Sequence, residues 1–386
     1  MLSKKLMLSA VALIAAPLFA SAEQGVTPNS VTFAQVAAFE GPAAALGTGM
    51  RLGITAAFEE ANAAGGVHGR MLKLDSMDDG YEPDRSAGLV KEVVEGNNHI
   101  GLIGPVGTPT SSATQPIATE AGMPFIGPFT GAGFLRDASL GNVFNVRATY
   151  FAETEAWINY LVDQQGMSSI ALLYQDDGFG RVGLNGVNAA LEKRGMSLAA
   201  EGTYTRNTTA VKKALLAIRK AKPDAVVMVG AYKPVAEFIK LARKMKMEST
   251  FVNISFVGSD ALSRELGDAG EGVIISQVVP FPWDVSIPVV AQYTEALRAV
   301  DAEAQPGFVS LEGYIVGRLA IEGLQAAGQE LTRENFLAAM ADLNTVDLGG
   351  LAMQFGRDDN QGMDDVFLTR ITADGGFEPI VAGGGS

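Results

Sequence analysis

The chain of 386 residues contains no cysteine. That absence removes thiol nucleophiles, thiolate zinc sites and iron–sulfur clusters. It also removes disulfides, which a chain of this length does not need in order to bury a core. Histidine is nearly absent: only His68 and His99 occur. His68 falls in the turn Gly65-Gly66-Val67-His68-Gly69-Arg70, and His99 follows Asn97-Asn98 ahead of an apolar stretch, so both read as surface turn residues. There is no G-x-S-x-G elbow, no P-loop and no H-E-x-x-H, which leaves a histidine triad or a metallopeptidase without its parts. Positive charge is in deficit, with 29 Lys+Arg against 43 Asp+Glu and a formal net charge of −14. Taken as a whole, such a chain offers no basic stripe for nucleic acid phosphates and is repelled by an anionic membrane.

What is present is ample core material, 47% apolar residues, in a length that accommodates two domains. The N-terminus carries Lys4-Lys5, the apolar segment Leu6–Leu18 and the small-residue site Ala20-Ser21-Ala22. This is the pattern of a secretory signal peptide over residues 1–22, cleaved after Ala22, and it predicts export from the cytoplasm. A membrane anchor is the competing reading, but the apolar segment is short for a span and no later segment approaches 18 uninterrupted apolar residues. With no cysteine at the cleavage site to carry a lipid, the mature chain is expected to be free and soluble.

Strand and helix patterns then alternate. The strand segments Val31–Phe33, Met71–Leu74, Ile100–Ile103, Pro124–Ile126, Ile170–Tyr174, Ala200–Tyr204 and Ala225–Val229 are separated by helical spacing. Those helical stretches are Met50–Ala63, Asp84–Val94, Ser111–Glu120, Glu153–Val162, Leu184–Lys193, Thr209–Ala221 and Val235–Lys244. Alternation of this kind predicts an α/β fold with parallel sheets covered on both faces. Asp78-Asp79-Gly80-Tyr81 and Asp176-Asp177-Gly178-Phe179 echo each other, each after a strand and before a helix, as two similar lobes would require. Gly41, Gly104, Gly127, Gly178, Gly230 and Gly258 all fall just beyond predicted strand ends, where doubly wound sheets open their ligand crevice.

The second echo contains G-x-G-x-x-G, Gly178 to Gly183. A dinucleotide fingerprint needs its first glycine directly after the strand, and here Gln175, Asp176 and Asp177 intervene. Two carboxylates at that mouth repel pyrophosphate, so no cofactor is expected. Asp358-Asp359-Asn360-Gln361-Gly362 resembles the start of a calcium loop, but its twelfth position is Thr369 rather than Glu, so it reads as a polar turn and no metal is expected. Hydroxyls gather at Gly107-Thr108-Pro109-Thr110-Ser111-Ser112, which runs into a helix, and near Gly127–Gly133 after the next strand. Thr110 or Ser111 can N-cap that helix. The same helix start can hold a ligand carboxylate through backbone N–H groups and a threonine hydroxyl.

Together FEGPAAALG (Phe39–Gly47), NAAGGVHGR (Asn62–Arg70), MDDGYEPD (Met77–Asp84), GTPTSSATQPIA (Gly107–Ala118), GMPFIGPFTGA (Gly122–Ala132), YQDDGFGRVG (Tyr174–Gly183), VGAYKP (Val229–Pro234) and SFVGSDAL (Ser255–Leu262) resemble, in order and spacing, the type I periplasmic solute-binding proteins of the leucine/isoleucine/valine-binding branch. The resemblance spans essentially the whole mature chain. It implies two Rossmann-like lobes joined by a three-strand hinge. Lobe I would hold residues 26–147 and 278–363, and lobe II residues 148–277 and 364–386, ending in an unstructured tail from Ala382. It also implies a monomer that is not an enzyme, captures a small organic ligand and presents it to an inner-membrane ABC permease of the branched-chain-amino-acid type; a sensor signalling to a membrane receptor is the alternative. Carried over by position, the ligand-binding residues would be Leu46, Thr108, Thr110, Phe129 and Thr130 in lobe I, and Phe179, Tyr232 and Asp260 in lobe II, with Asp260 pairing an amino group. Two departures stand out. Where amino-acid binders have a small residue and, two positions later, a threonine, this chain has Phe129 and Gly131. The aromatics at the site imply a ligand with an apolar or aromatic body, while Trp283 reads as core packing.

Overall fold

The computed structural model describes residues 24–380. The expected signal peptide and the tail from Ala382 lie outside the described residues. The chain first lays down β1 (Ser30–Ala37), α1 (Ala44–Ala63), β2 (Met71–Asp78), α2 (Pro83–Gly96), β3 (Leu102–Ile103), α3 (Thr108–Glu120), β4 (Phe125–Ile126) and β5 (Val143–Phe144). The five strands form one parallel sheet in the order β2-β1-β3-β4-β5. A second unit follows with α4 (Tyr150–Ile158), β6 (Ile170–Gln175), α5 (Gly178–Glu192), β7 (Ala200–Tyr204), α6 (Lys212–Ala221), β8 (Ala225–Val229), α7 (Tyr232–Lys244), β9 (Thr250–Asn253), α8 (Ser259–Leu266) and β10 (Ile274–Gln277). The strands β6 (IALLYQ) and β8 (AVVMV) are buried along their whole length, as central strands covered on both faces must be.

The chain then returns to the first unit. It adds α9 (Pro288–Val300), α10 (Phe308–Ala327), α11 (Arg333–Ala341) and the hairpin β11 (Thr345–Asp347)–β12 (Ala352–Gln354). α10 lies against α1 at glycine contacts: a Cβ on Gly53 would fall 1.9 Å from the Ser310 carbonyl oxygen, and one on Gly313 would fall 2.4 Å from that of Met50. Finally β13 (Phe367–Ile371) and β14 (Phe377–Pro379) join the second sheet, giving the order β14-β13-β10-β9-β8-β6-β7. These two strands are antiparallel to their neighbours, which the βα alternation upstream does not predict. The chain therefore passes between the two sheets three times. The first and third passages run side by side, paired by a parallel bridge between Asn145 and Gln361.

Two expectations are corrected. His99 is buried, not a surface residue, and its Nε2 lies 3.0 Å from Asp75 Oδ2; His68 is exposed in its turn. Trp283 is not core: it is 39% exposed, stacked on Phe377 and edge-on to Phe308.

A buried ion pair closes the joint between the units. Arg147, in the first passage, donates from Nε and Nη2 to the Glu312 carboxylate of α10 at 2.8 and 2.7 Å. Both side chains are almost inaccessible. Burial alone would lower the affinity of Arg147 for its proton, but the facing carboxylate of Glu312 more than reverses this and holds the guanidinium charged. A second carboxylate, Glu153 of α4, accepts from the Ser255 N–H and hydroxyl at 2.8 Å each and from the Ser276 hydroxyl. Replacing Arg147 with Ala should cost about 3–5 kcal/mol of stability, because Glu312 is left buried and uncompensated. Arg147→Met combined with Glu312→Leu should cost far less than that single change, and urea unfolding of the set measures the difference.

Candidate ligand-binding site

The turns that follow the strands of the two sheets meet each other. The DDG-aromatic echo has a shared physical basis. Asp79 Oδ1 accepts from the Tyr81 N–H at 2.8 Å, and Asp177 Oδ1 accepts from the Phe179 N–H at 3.0 Å. Each carboxylate folds its own turn and each turn delivers an aromatic ring, one from each lobe. Both rings pack on Phe256, at centroid distances of 5.9 Å for Tyr81 and 4.6 Å for Phe179. Phe129 meets the same ring at 5.5 Å, and Tyr150 meets Phe179 at 5.4 Å. Phe129 in turn carries the Arg147 guanidinium over its face at 4.1 Å. The site is thus an aromatic cluster built from both lobes and backed by the buried ion pair.

The glycines of the G-x-G-x-x-G stretch serve packing. A Cβ on Gly180 would meet the Gln175 carbonyl oxygen at 1.8 Å, and one on Gly183 would meet Val229 at 2.4 Å. The carboxylate of Asp177 occupies the start of α5 as its N-cap, where a dinucleotide phosphate would have to lie.

The hydroxyl-rich turn differs from expectation in its first residue. α3 begins at Thr108 with Gly107 as N-cap, so neither Thr110 nor Ser111 caps it. Gly107 sits at φ +106°, and a Cβ there would fall 2.2 Å from the Tyr81 ring; both the backbone and the space require glycine. The Thr110 hydroxyl donates back to Val106 O and Gly107 O. Its proton is spent inside the turn, which leaves it only as an acceptor. Thr108 and Thr130 share one hydrogen bond, Oγ1 to Oγ1 at 2.7 Å. Arg136 braces the Thr130 turn by donating to Thr130 O and Ala132 O. Of the hydroxyls here, Ser111 is buried without a partner and the Thr108–Thr130 pair has one proton beyond its shared bond. Beside them the N–H groups of Thr108 and Thr110 open α3, since Pro109 has none and those of Gly107 and Ser111 are paired.

Gly131 has a clear cause. A Cβ there would lie 2.6 Å from Tyr150 Cδ1 and 2.7 Å from the Tyr150 N–H. The missing threonine makes room for a tyrosine ring. Gly131→Ala should therefore destabilise the fold by about 1–3 kcal/mol, readable as a fall in the thermal midpoint.

The remaining residues lie along the same seam. Leu46 is fully buried and packs against Gly258 of the other lobe, where a Cβ would fall 2.6 Å from its Cδ2. The Tyr232 hydroxyl accepts from the Ala45 N–H at 3.4 Å. Asp260 borders a cavity of about 250 Å³ shared with Ala45, Gly49, Arg264, Gln305 and Gly307. Its carboxylate lies against the start of α10, where Gly307 is glycine because a Cβ would lie 2.5 Å from Asp260 Oδ2. Thr108, Thr130, Phe129 and Phe179 are thus brought together, whereas Leu46, Tyr232 and Asp260 line the adjoining stretch and Thr110 turns inward. Sequence reasoning missed Tyr150, Phe256, Arg147 and Glu312. Phe256 stands inside the quoted SFVGSDAL motif, and Tyr81 in the echo; nothing local marks Arg147 and Glu312, which lie 165 residues apart.

Burial pushes the Asp260 carboxyl up to about 6, against the opposing charge of Arg264. A raised pKa means that the folded chain binds this proton where the unfolded chain has lost it. The associated stability is complete below about pH 4 and disappears as pH rises through 6, a loss of at most about 3 kcal/mol. Burial raises Asp79 to about 6 as well, so the wild type carries both contributions. The difference in stability between wild type and Asp260→Asn, followed from pH 4 to 7, isolates Asp260 and should shift against the wild type as pH rises.

Comparison with known proteins fits this arrangement. Residues 30–376 match the family model described as periplasmic binding protein. The chain belongs to that family. Within it, the relatives are of the leucine/isoleucine/valine-binding branch. A Leu/Ile/Val-binding protein homolog 7 from Brucella abortus is 24% identical over 79% of this chain and 80% of its own length. The leucine-, isoleucine-, valine-, threonine- and alanine-binding protein of Pseudomonas aeruginosa is 23% identical over 80% of this chain and 81% of its own. The crystal structure of a possible leucine/isoleucine/valine-binding protein from Rhodopirellula baltica superposes with a TM-score of 0.87 at 36% identity, covering 94% of this chain and 98% of that one. This periplasmic binding protein therefore has two α/β lobes whose strand-end turns meet between them.

Proposed function

We propose that the protein captures a small organic carboxylate with an apolar body between its lobes and delivers it to an ABC importer of the branched-chain-amino-acid type. The observation that carries the ligand class is the aromatic cluster of Phe129, Phe179, Phe256, Tyr81 and Tyr150 beside the start of α3, where the N–H groups of Thr108 and Thr110 are unpaired. The N–H groups of α3 and the Thr108–Thr130 pair supply donors for the carboxylate. The rings supply an apolar wall. Phe129 narrows the turn where, by the resemblance, amino-acid binders carry a small residue, and the Asp260 carboxylate lies against Gly307 at the start of α10. Both features favour a ligand without an α-amino group over an amino acid. Capture then works as hinge closure: a ligand touching both lobes stabilises the conformation in which they meet, and the permease reads that conformation.

The test is a thermal-shift panel on the chain from Glu23 onward. It should include branched and aromatic carboxylates, short dicarboxylates, amides, and leucine, isoleucine and valine. A bound ligand at 100 times its Kd adds about 2.7 kcal/mol of stability. The expected result is a shift with apolar carboxylates that Phe129→Ala weakens. A shift confined to amino acids, abolished by Asp260→Ala, would return the protein to amino-acid transport.

A further inference from the structure

The acidity of the chain is not evenly spread. Between Lys212 and Glu248 stand ten Lys and Arg residues and only Asp224, Glu237 and Glu248 of opposite sign. This segment carries +7, which leaves the rest of the chain at −21 given the total of −14. It comprises α6, β8 and α7 with the loops that follow. Lys212, Lys213, Arg219, Lys220 and Lys222 on and after α6 are exposed, as are Lys240, Arg243, Lys244 and Lys246 on and after α7. The two helices pack side by side, and Arg219 of α6 reaches the Met245 carbonyl at the end of α7. Arg219, Lys220 and Lys222 at the end of α6 and Arg243, Lys244 and Lys246 at the end of α7 thus share one end of the second lobe, whereas Lys212, Lys213 and Lys233 open their helices at the other end.

Within the protein few of these cations are engaged: Arg243 donates to the Glu271 carbonyl and lies over Phe251, and Lys233 lies over Tyr232. Among the described residues, none of these ten cations has an ion-pair partner, whereas nine of the other seventeen do. Arg219, Lys220, Arg243 and Lys244 lie in last helical turns, where the helix dipole favours them. Lys212 and Lys213 do not: they open α6, whose first turn holds no acidic residue, and so run against the dipole. Of the three acids, Asp224 already accepts from the Ser168 and Ser169 N–H groups. Leu216 projects from the middle of α6, 58% exposed. It shares a broad surface hollow of about 1200 Å³ with four cations, Arg219, Lys220, Lys222 and Lys246, and two acids, Asp224 and Glu248.

The position of the hollow limits what its partner can sense. Its other walls are the segments that lead into β6, β8 and β9, such as Gly166–Ser168 and Pro223–Asp224. It lies at the strand N-termini of the second sheet, at the opposite end from the turns that meet the first lobe. It belongs wholly to one lobe, so opening or closing leaves it unchanged. A partner there does not distinguish loaded from empty protein.

We propose that this face docks the protein on an anionic phospholipid surface, as a standing tether that operates whether or not ligand is bound. A cationic face with many mobile side chains and one protruding leucine fits a fluid anionic surface. The −21 of the remainder does not oppose docking. Surface potentials decay within about 8–10 Å at physiological salt, so the membrane meets the near face and the acidic bulk stands beyond its reach. The same charge separation orients the molecule with this lobe inward.

The test is co-sedimentation of the chain from Glu23 onward, which contains every described element, with vesicles of phosphatidylcholine alone or enriched in phosphatidylglycerol. The expected result is binding to the anionic vesicles only, declining steeply with salt. Lys220→Gln/Lys222→Gln/Lys246→Gln should weaken it about a hundredfold, at roughly one tetherable charge each. Lys73→Gln/Lys91→Gln/Arg298→Gln, changed at exposed positions elsewhere, should leave it intact. Thermal unfolding of both variants establishes that they are folded. Failure to bind anionic vesicles at low salt, or equal losses in the two variants, would overturn the proposal. Association with polyglutamate in place of vesicles would also overturn it and assign the face to an acidic protein.

Discussion

The bidentate contact between Arg147 and Glu312 governs more of this molecule than any other single interaction. Two charges buried together satisfy each other only in one geometry. That geometry fixes the first passage between the lobes against α10, the longest helix of the returning segment. The guanidinium then has a face to spare and lays it on Phe129. The ring so held is the one that departs from the amino-acid-binding pattern. A structural ion pair thereby holds one ring of the candidate site, so the joint between the lobes and that ring share a support.

The rest of the site repeats one device in both lobes. An aspartate folds the turn after a strand, and two residues on an aromatic ring is thrown toward the partner lobe. Tyr81 and Phe179 arrive by this route at the same third ring, Phe256. The polar contacts around them also cross the seam: Arg206 of the second lobe meets Glu82 of the first at 2.8 Å, and Asn207 donates to the same carboxylate. The apolar centre supplies non-directional attraction, while the charged rim fixes the register in which the lobes meet.

The periodicity of the chain made the two α/β lobes legible, and β7 and β8 were found to the residue. The starts of several helices were not. α3, α5 and α7 each begin three or more residues earlier than their apolar spacing suggests. The cause is physical: the first turn of each faces the crevice rather than the core, so it carries Gly, Thr, Pro and Tyr where periodicity expects buried aliphatics. Thr108, Phe129 and Phe179 were reachable through motif spacing. Tyr150 was not, because its role depends on the absence of a side chain at Gly131, and a glycine does not announce which neighbour claims the space. The basic face was hidden by summation, since a net charge reports the balance and not the arrangement.

The order of strands in the second sheet has a consequence for how the molecule is made. β13 pairs with β10, yet 89 residues separate Gln277 from Phe367 and nearly all of them belong to the other lobe. Neither lobe is therefore a finished unit at any point before the chain is almost complete. During synthesis or translocation, an N-terminal fragment exposes the open edge of β10, and the partner that covers it emerges last. Assembly of this kind rewards late, cooperative folding over lobe-by-lobe folding, because long-range pairing is slow and incomplete edges invite association. The interleaving that lets three passages act as a hinge also delays the protein from becoming two domains until it is whole.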